Sequence, residues 1–412
     1  MNLYSKRRKK LISSIKGNAA ILLFSNKAVM CSEDESYPFK VNRNFYYLTG
    51  LDFEGMSILI KKIDGVVSET LFIQPFDAKL ARWVGGRILA QDAMKICEVD
   101  DVRNVDELDE CVAHLLDNSR RDNEFKLYFD LWHYNMDQEN SDASNYALKL
   151  RSRYPYIIIK DVFPYLTSMR LVKDDYEIKQ IKEAIHITNK GIQAMMKLSK
   201  DGVSEMAMEG AFDYELRKNM CHENAFATIA ASGKRATILH YSKNNQTMQD
   251  GELFLCDLGA TSNHYCADIS RTFPVNGKFT ARQKEIYQLV LNAQKITEKY
   301  AKEGANLKDI NQKIVDYYKK ELPKHGLKKD VREYYFHSIS HHLGLDTHDV
   351  DGGMGRVLKQ GNVITNEPGL YIEDEGIGIR IEDDLLITKG KPINLSSEII
   401  KEIDDIERFM KQ

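Results

Sequence analysis

The stretch Glu252-Leu253-Phe254-Leu255-Cys256-Asp257-Leu258-Gly259 sets an acid inside an apolar run, and Tyr265-Cys266-Ala267-Asp268-Ile269-Ser270-Arg271-Thr272-Phe273 repeats the pattern after the polar Thr261-Ser262-Asn263-His264. Short apolar runs flanking a polar break predict two buried strands joined as a hairpin. A turn centred on Ser262-Asn263 would put Asp257 directly opposite Asp268 on one face. Like charges directly opposite one another are unfavourable. A cation held between them would remove the conflict.

A second stretch repeats the arrangement. Val363-Ile364-Thr365-Asn366-Glu367-Pro368-Gly369-Leu370-Tyr371-Ile372 leads through Glu373-Asp374-Glu375-Gly376 into Ile377-Gly378-Ile379-Arg380-Ile381-Glu382-Asp383-Asp384-Leu385. A centre at Asp374-Glu375 sets Glu367 opposite Glu382, whatever the turn type. Pro368 has no N–H to give a ladder, so that strand is an edge or is bulged there. The flanks are too apolar for charged strands facing solvent. Between the hairpins, residues 336–349 hold His337, His341, His342 and His348, four of the chain's 11 histidines. Such clustering between apolar neighbours points to chemistry, although spacing singles out none of the four. Carboxylates with imidazole suit hard or borderline divalent ions such as manganese better than a closed structural zinc site. Two metals sharing a water make a nucleophile near neutral pH, so the pattern predicts a hydrolase.

Local sequence narrows the class. The runs Ile229-Ala230-Ala231-Ser232-Gly233-Lys234-Arg235-Ala236-Thr237-Ile238-Leu239-His240-Tyr241, Cys256-Asp257-Leu258-Gly259-Ala260, Ala267 to Pro274, Ser340 to Asp349, Glu367-Pro368-Gly369-Leu370-Tyr371 and Gly378 to Asp384 occur in this order. Together they resemble the aminopeptidase P group of the creatinase/prolidase/methionine aminopeptidase family, the "pita-bread" metallopeptidases. The likeness is strong over the C-terminal half and weaker in Asn44-Phe45-Tyr46-Tyr47-Leu48-Thr49-Gly50. It implies an α/β (α+β) chain, with a creatinase-like α/β domain over residues 1–167 and a pita-bread catalytic domain over 168–412.

The resemblance also implies roles. Two divalent ions, manganese first and cobalt, zinc or iron as alternatives, would be held by Asp257, Asp268, His341, Glu367 and Glu382. Asp257 chelates one metal, Asp268 and Glu382 bridge both, and His341 and Glu367 complete the other. A metal-bridging hydroxide attacks the scissile carbonyl, with Glu367 as proton shuttle. His240, His337 and His348 match catalytic, substrate-side histidines. Tyr371 and Arg380 match residues that stand behind the ligands and orient them. The implied substrates are peptides with proline second, cut at the N-terminal Xaa-Pro bond, and the implied assembly is a homodimer or homotetramer formed through the N-terminal domain. One departure is Asn366, where the family carries a small or apolar residue. Strand alternation turns it away from the metals.

Other readings are weaker. A prolidase would use the same five ligands on Xaa-Pro dipeptides, but the Ala236–Tyr241 run and the continuous Arg271-Thr272-Phe273-Pro274 favour the aminopeptidase. A creatinase-like amidinohydrolase or an inactive peptide-binding module would not need the intact ligand set. His342, beside the expected ligand, reads as structural. Cys256 and Cys266 read as small buried residues, and Asp383 and Asp384 as solvated or supporting groups. Gly352-Gly353-Met354-Gly355 reads as a loop at the rim of the site.

The rest of the chain agrees with an enzyme. At 412 residues two domains are expected. A net charge of −3 gives no case for nucleic acid. No run approaches a membrane span, and six scattered cysteines point to a reducing, cytoplasmic setting. Lys6-Arg7-Arg8-Lys9-Lys10 reads as a surface helix end, and Ala19–Phe24 as a strand rather than a signal segment. Further strands are expected at Met56–Lys61, Thr70–Gln74, Lys126–Phe129 and Ile157–Asp161. Asp174 with Glu177, and Thr280 with Gln283, are capping boxes that open helices. Others are expected near 204–220 and 306–322. Arg82-Trp83-Val84-Gly85-Gly86-Arg87 is an aromatic-basic patch that braces a loop or borders a neighbouring site.

Overall fold

The computed structural model describes residues 1–353 and 356–411, so Met354 and Gly355 of the expected rim loop lie outside the described residues. The chain divides into two compact units, Met1–Thr167 and Ser168–Gln412, with the helix Phe163–Leu171 running across the division. No helix among the described residues is long and apolar enough to cross a membrane.

The first unit is built on a six-stranded mixed sheet. Its order is Asp101–Asn104, Val66–Ile73, Ser57–Ile63, Ala19–Phe24, Lys126–Phe129, Ile158–Asp161. The central hairpin turns at Asp64-Gly65, both left-handed (φ 50° and 82°), the turn whose twist matches that of its strands. Ala20, Leu22, Leu59, Leu127 and Phe129 meet Val112, Leu116 and Leu150 from the covering helices in one apolar core. The basic run departs from expectation. It lies within the helix Leu3–Ser14, and Arg7 and Arg8 are buried rather than exposed. Arg8 is tolerated because its donors are met: Nη2 and Nε reach Glu69 Oε2 at 2.7 and 2.9 Å, and the carbonyls of Leu48 and Cys97 take others.

The second unit packs helices around several short sheets. Asp174 and Thr280 cap the helices Asp175–Leu198 and Ala281–Tyr300, each with a complete capping box. Ile181, Ala184, Ile185 and Thr188 form the buried stripe of the first of these, while Ile178 is only half-buried. Two more helices span Glu205–Lys218 and Leu307–Glu321. One sheet orders Ile269–Pro274, Leu253–Leu258 and Ile229–Ser232; another orders Val363–Asn366, Asp383–Leu386 and Ile393–Asn394. Gly369–Ile372 pairs with Ile377–Arg380 as a separate ribbon.

Candidate metal centre

The first acid-bearing hairpin forms, but two residues out of the expected register. It turns at Asn263-His264, both left-handed (φ 46° and 65°), so Ser262 pairs with Tyr265 and Asp257 with Ser270 rather than Asp268. Asparagine adopts that conformation readily. Nothing local in the sequence announces that the following histidine shares it. A shift of two keeps every side chain on its face, and Asp257 and Asp268 still line one cavity. The ladder opens at Ala267-Asp268, and Gly259 makes room for that opening: a Cβ there would lie 1.9 Å from the Ala267 carbonyl oxygen.

The second hairpin keeps its expected register. Asn366 pairs with Asp383 and Gly369 with Arg380, on either side of a break at Glu367-Pro368 and Ile381-Glu382. In that register Glu367 faces Glu382. The break frees the Glu382 backbone N–H, which donates to the Ser270 carbonyl at 3.0 Å and ties the hairpins together. The histidine segment is aligned by the same strand. Thr365 N donates to the His341 carbonyl, Glu367 N to that of Ile339, and Leu343 N to that of Val363.

Asp268, His341 and Glu382 each bring a ligand atom within 4.8 Å of the others. His341 Nε2 lies 3.3 Å from Asp268 Oδ2 and 3.5 Å from Glu367 Oε1, while its Nδ1 faces the His342 carbonyl at 3.0 Å. That contact assigns the proton to Nδ1 and leaves Nε2 with a lone pair for a metal. Asp257 Oδ2 accepts from Arg380 Nη2 at 2.6 Å, and its Oδ1 is buried with no hydrogen-bond partner among the described residues. Burial, and then the neighbouring acids, hold the Asp268 and Glu382 carboxyls well above the usual range, and burial raises Glu367 too. An oxygen-rich donor set with one imidazole lone pair, an orphaned carboxylate oxygen and too little positive charge fits divalent cations. Cys256 fits none: burial pushes its thiol up to about 12, and it donates to the Arg271 carbonyl.

Behind the acids lies a hydrogen-bonded frame. Arg380 Nε donates to Ser270 Oγ at 2.8 Å, and Ser270 Oγ donates to Glu382 Oε2 at 2.7 Å. Arg380 Nη1 donates to Tyr371 OH at 2.8 Å, and Tyr371 OH lies 3.0 Å from His337 Nε2. His337 Nδ1 faces the Ser338 carbonyl at 2.8 Å. Both its nitrogens are therefore engaged, and burial with the nearby Arg380 charge lowers its pKa to about 3. Thr365 Oγ1 donates to Glu367 Oε1 at 3.2 Å. The sequence reading missed Ser270 and Thr365. The only available signal was their position on the ligand-bearing strands, two residues from Asp268 and Glu367.

Residues read as bystanders also find places. His342 is buried and bridges to Ile364. Asn366 is buried against the helix Ala281–Tyr300, its Nδ2 donating to the Gln294 carbonyl at 3.0 Å. Asp383 and Asp384 are fully buried, not solvated. Asp383 pairs with Arg271 and Lys401, each at 2.6 Å, and Asp384 Oδ2 accepts from the Asp268 N–H at 3.3 Å. Trp83 of the aromatic-basic patch is exposed in the other unit.

The acids open into a cavity of about 630 Å³, lined also by Phe226, Ala227, Ile229, Leu239, His240 and His348. His348 packs edge-on against His341 with ring centroids 4.3 Å apart.

Comparison with known proteins locates this architecture. Residues 179–389 match the model of metallopeptidase family M24, and residues 4–123 that of the aminopeptidase P N-terminal domain. The chain is 33% identical to the Xaa-Pro aminopeptidase of Haemophilus influenzae, over 99% of this chain and 96% of that one. A Bacillus anthracis structure assigned provisionally to aminopeptidase P superposes with a TM-score of 0.95 at 40% identity, covering 99% of this chain and 98% of that one. Escherichia coli aminopeptidase P with the inhibitor Pro-Leu gives 0.89 at 31% identity, with the same coverage.

Proposed function

The chain belongs to metallopeptidase family M24 and is a hydrolase, and from that premise we propose that it is an aminopeptidase releasing the first residue of peptides whose second residue is proline. The observation that carries this reading is the cavity itself, where Asp257, Asp268, His341, Glu367 and Glu382 face an apolar wall of Phe226, Ile229 and Leu239. Proline's tertiary amide and fixed φ exclude it from ordinary peptidase clefts, and an apolar wall beside the acids suits its ring.

Asp257 would hold one cation, Asp268 and Glu382 both, and His341 and Glu367 the other, with manganese favoured by the oxygen-rich donors. Two divalent cations supply the charge that acidifies water and polarises the scissile carbonyl. The protein's own groups do the rest. Glu367, kept partly protonatable by burial and steadied by Thr365, takes a proton at a carboxylate oxygen as water attacks and returns it to the departing proline nitrogen. His240 is exposed at the cavity and has no hydrogen bond to protein among the described residues, so it is available to substrate. His348 has a pKa lowered by burial and by His341, which favours a neutral ring. His337 is locked by Tyr371 and Ser338 and shapes the wall. Six free cysteines support a reducing, cytoplasmic setting. Assembly into a dimer or tetramer belongs to the same reading and is checked by light scattering.

The test pairs an Xaa-Pro-Yaa tripeptide with an Xaa-Pro dipeptide on manganese-loaded protein. Release of Xaa from the tripeptide, abolished by chelator and by Glu367→Gln, is the expected result. Cleavage of the dipeptide alone would make the enzyme a prolidase, and cleavage of neither would remove the peptidase reading.

A further inference from the structure

One border of the cavity is a strap, residues 233–246, which contributes Leu239, His240 and Ser242 to the lining. After the strand Ile229–Ser232 it makes a short helical turn, Gly233–Thr237, and then runs without ladder partners. Its anchor is Glu205, in the first turn of the helix Glu205–Lys218 and fully buried. Glu205 Oε1 accepts from Ser232 N and Ser232 Oγ, each at 2.8 Å, and from Arg235 Nε at 3.1 Å. Oε2 accepts from Tyr241 OH at 2.8 Å and Gln246 N at 3.0 Å. These donors come from the strand end just before the strap (Ser232) and from its beginning, middle and end (Arg235, Tyr241 and Gln246). One turn along the same helix, Glu209 Oε2 accepts from Asn244 Nδ2 at 2.9 Å.

Two neighbours in the strap face opposite ways. Tyr241 is buried and points its hydroxyl back to Glu205, while His240 is exposed on the cavity side. Fixing Tyr241 therefore fixes His240. A buried carboxylate needs donors, but these are drawn from separate points of one segment, so satisfying the acid also fixes the path of that segment. A carboxylate meeting five donors has one optimal geometry, which is what a catalytic strap requires.

We propose that Glu205 is a positioning residue for the peptidase reaction, holding His240 over the cavity through Tyr241. The inference rests on the reading of His240 as a substrate-side group. Burial works against ionisation of Glu205, but the bonds from Ser232, Tyr241 and Gln246 outweigh it, so the carboxylate stays charged at neutral pH. Glu205→Gln keeps the shape but turns a donor towards donors. Tyr241→Phe removes the hydroxyl, with its bond to Glu205 and its longer 3.3 Å contact to Asn245 Oδ1, and keeps the ring.

The experiment measures kcat and KM on the tripeptide, metal content, and hydrogen exchange across residues 233–246. Glu205→Gln is expected to lower kcat/KM at least about tenfold and Tyr241→Phe about threefold, with metal content unchanged and exchange faster in the strap. The Tyr241→Phe loss should vanish in a His240→Ala background, because the two act in series. An equal loss with and without His240 would overturn the proposal, as would unchanged exchange in both variants. If Glu205→Gln does not fold, the Tyr241 and His240 cycle decides. If the wild type cleaves no peptide, the peptidase reading falls, and the exchange measurement still decides whether Glu205 holds the strap.

Discussion

Glu382 and Asp383 are consecutive and equally hidden from water, yet their carboxyls shift in opposite directions. Glu382 is raised by burial and by Asp268, Glu367 and Asp257. Asp383 suffers the same burial, but Arg271 and Lys401 outweigh it and hold it below the usual range. Asp349 repeats the second pattern, gripped by Arg170 at 2.6 Å and Lys173 at 2.9 Å. The chain can clearly place cations against buried acids. At the cavity it brings one guanidinium, Arg380, and aims it at Asp257. Elsewhere in that cluster the compensating charge has to come from outside, which is how a buried carboxylate group becomes a metal centre rather than an ion pair.

The largest effect expected breaks the first side. Asp268→Asn should lower kcat/KM at least about a thousandfold. In the presence of chelator it should leave the chain no less stable, since it removes a repelled charge; a clear loss in urea melts would mean Asp268 is satisfied by protein groups. Breaking the other side should do the reverse. Asp383→Ala strands Arg271 and Lys401 and should cost about 3–5 kcal/mol by denaturant unfolding, with or without metal.

Supplying the missing charge should erase the contrast. Manganese at about 100 times its Kd should add about 2.7 kcal/mol per independent ion to the wild type, and far less to Asp268→Asn. The raised carboxyls set the pH dependence of the chelated protein. Their stabilising contribution is complete below the ordinary carboxylate pKa and is lost as pH rises through their raised values. Stability with chelator should therefore fall with rising pH through the acidic range, and the slope should flatten with manganese. The smallest effect concerns Asp349, which burial raises but Lys173 and Arg170 bring down to about 2. Its contribution of roughly 2 kcal/mol is present above the unfolded value and lost as pH falls through the folded one. The stability gap between wild type and Asp349→Asn should narrow between about pH 4 and pH 2.

Features set by neighbouring residues were legible in the sequence, and features set across the chain were not. The caps at Asp174 and Thr280 need only the next three residues, and both helices begin where expected. The register of the Glu367/Glu382 hairpin follows from its centre, and the strands keep it. The Asp257/Asp268 hairpin slipped by two because His264 takes a left-handed conformation that its identity does not advertise. Arg8 looked like surface charge because its partner Glu69 lies on a distant strand. Asp383 reads from local sequence as either solvated or supporting for the same reason, since the cations that make it supporting, Arg271 and Lys401, come from other elements. The four acids expected around the cavity stand in local motifs, and His341 was singled out only by the family those motifs resemble, whereas the frame of Ser270, Thr365 and Glu205 depends on how strands and helices meet.

The Arg271 clamp also has a consequence for synthesis. Arg271 is closed not only by Asp383 but by the carbonyls of Ile399 and Ile400, and Lys401 follows at once. During translation every expected ligand has been made by Glu382, while Ile399, Ile400 and Lys401, which complete the clamp, follow it. A nascent chain stalled before Ile399 would carry the whole donor set while Arg271 lacked two of its carbonyl acceptors and Asp383 lacked Lys401. The clamp behind the site is therefore completed only after the last expected ligand has been made.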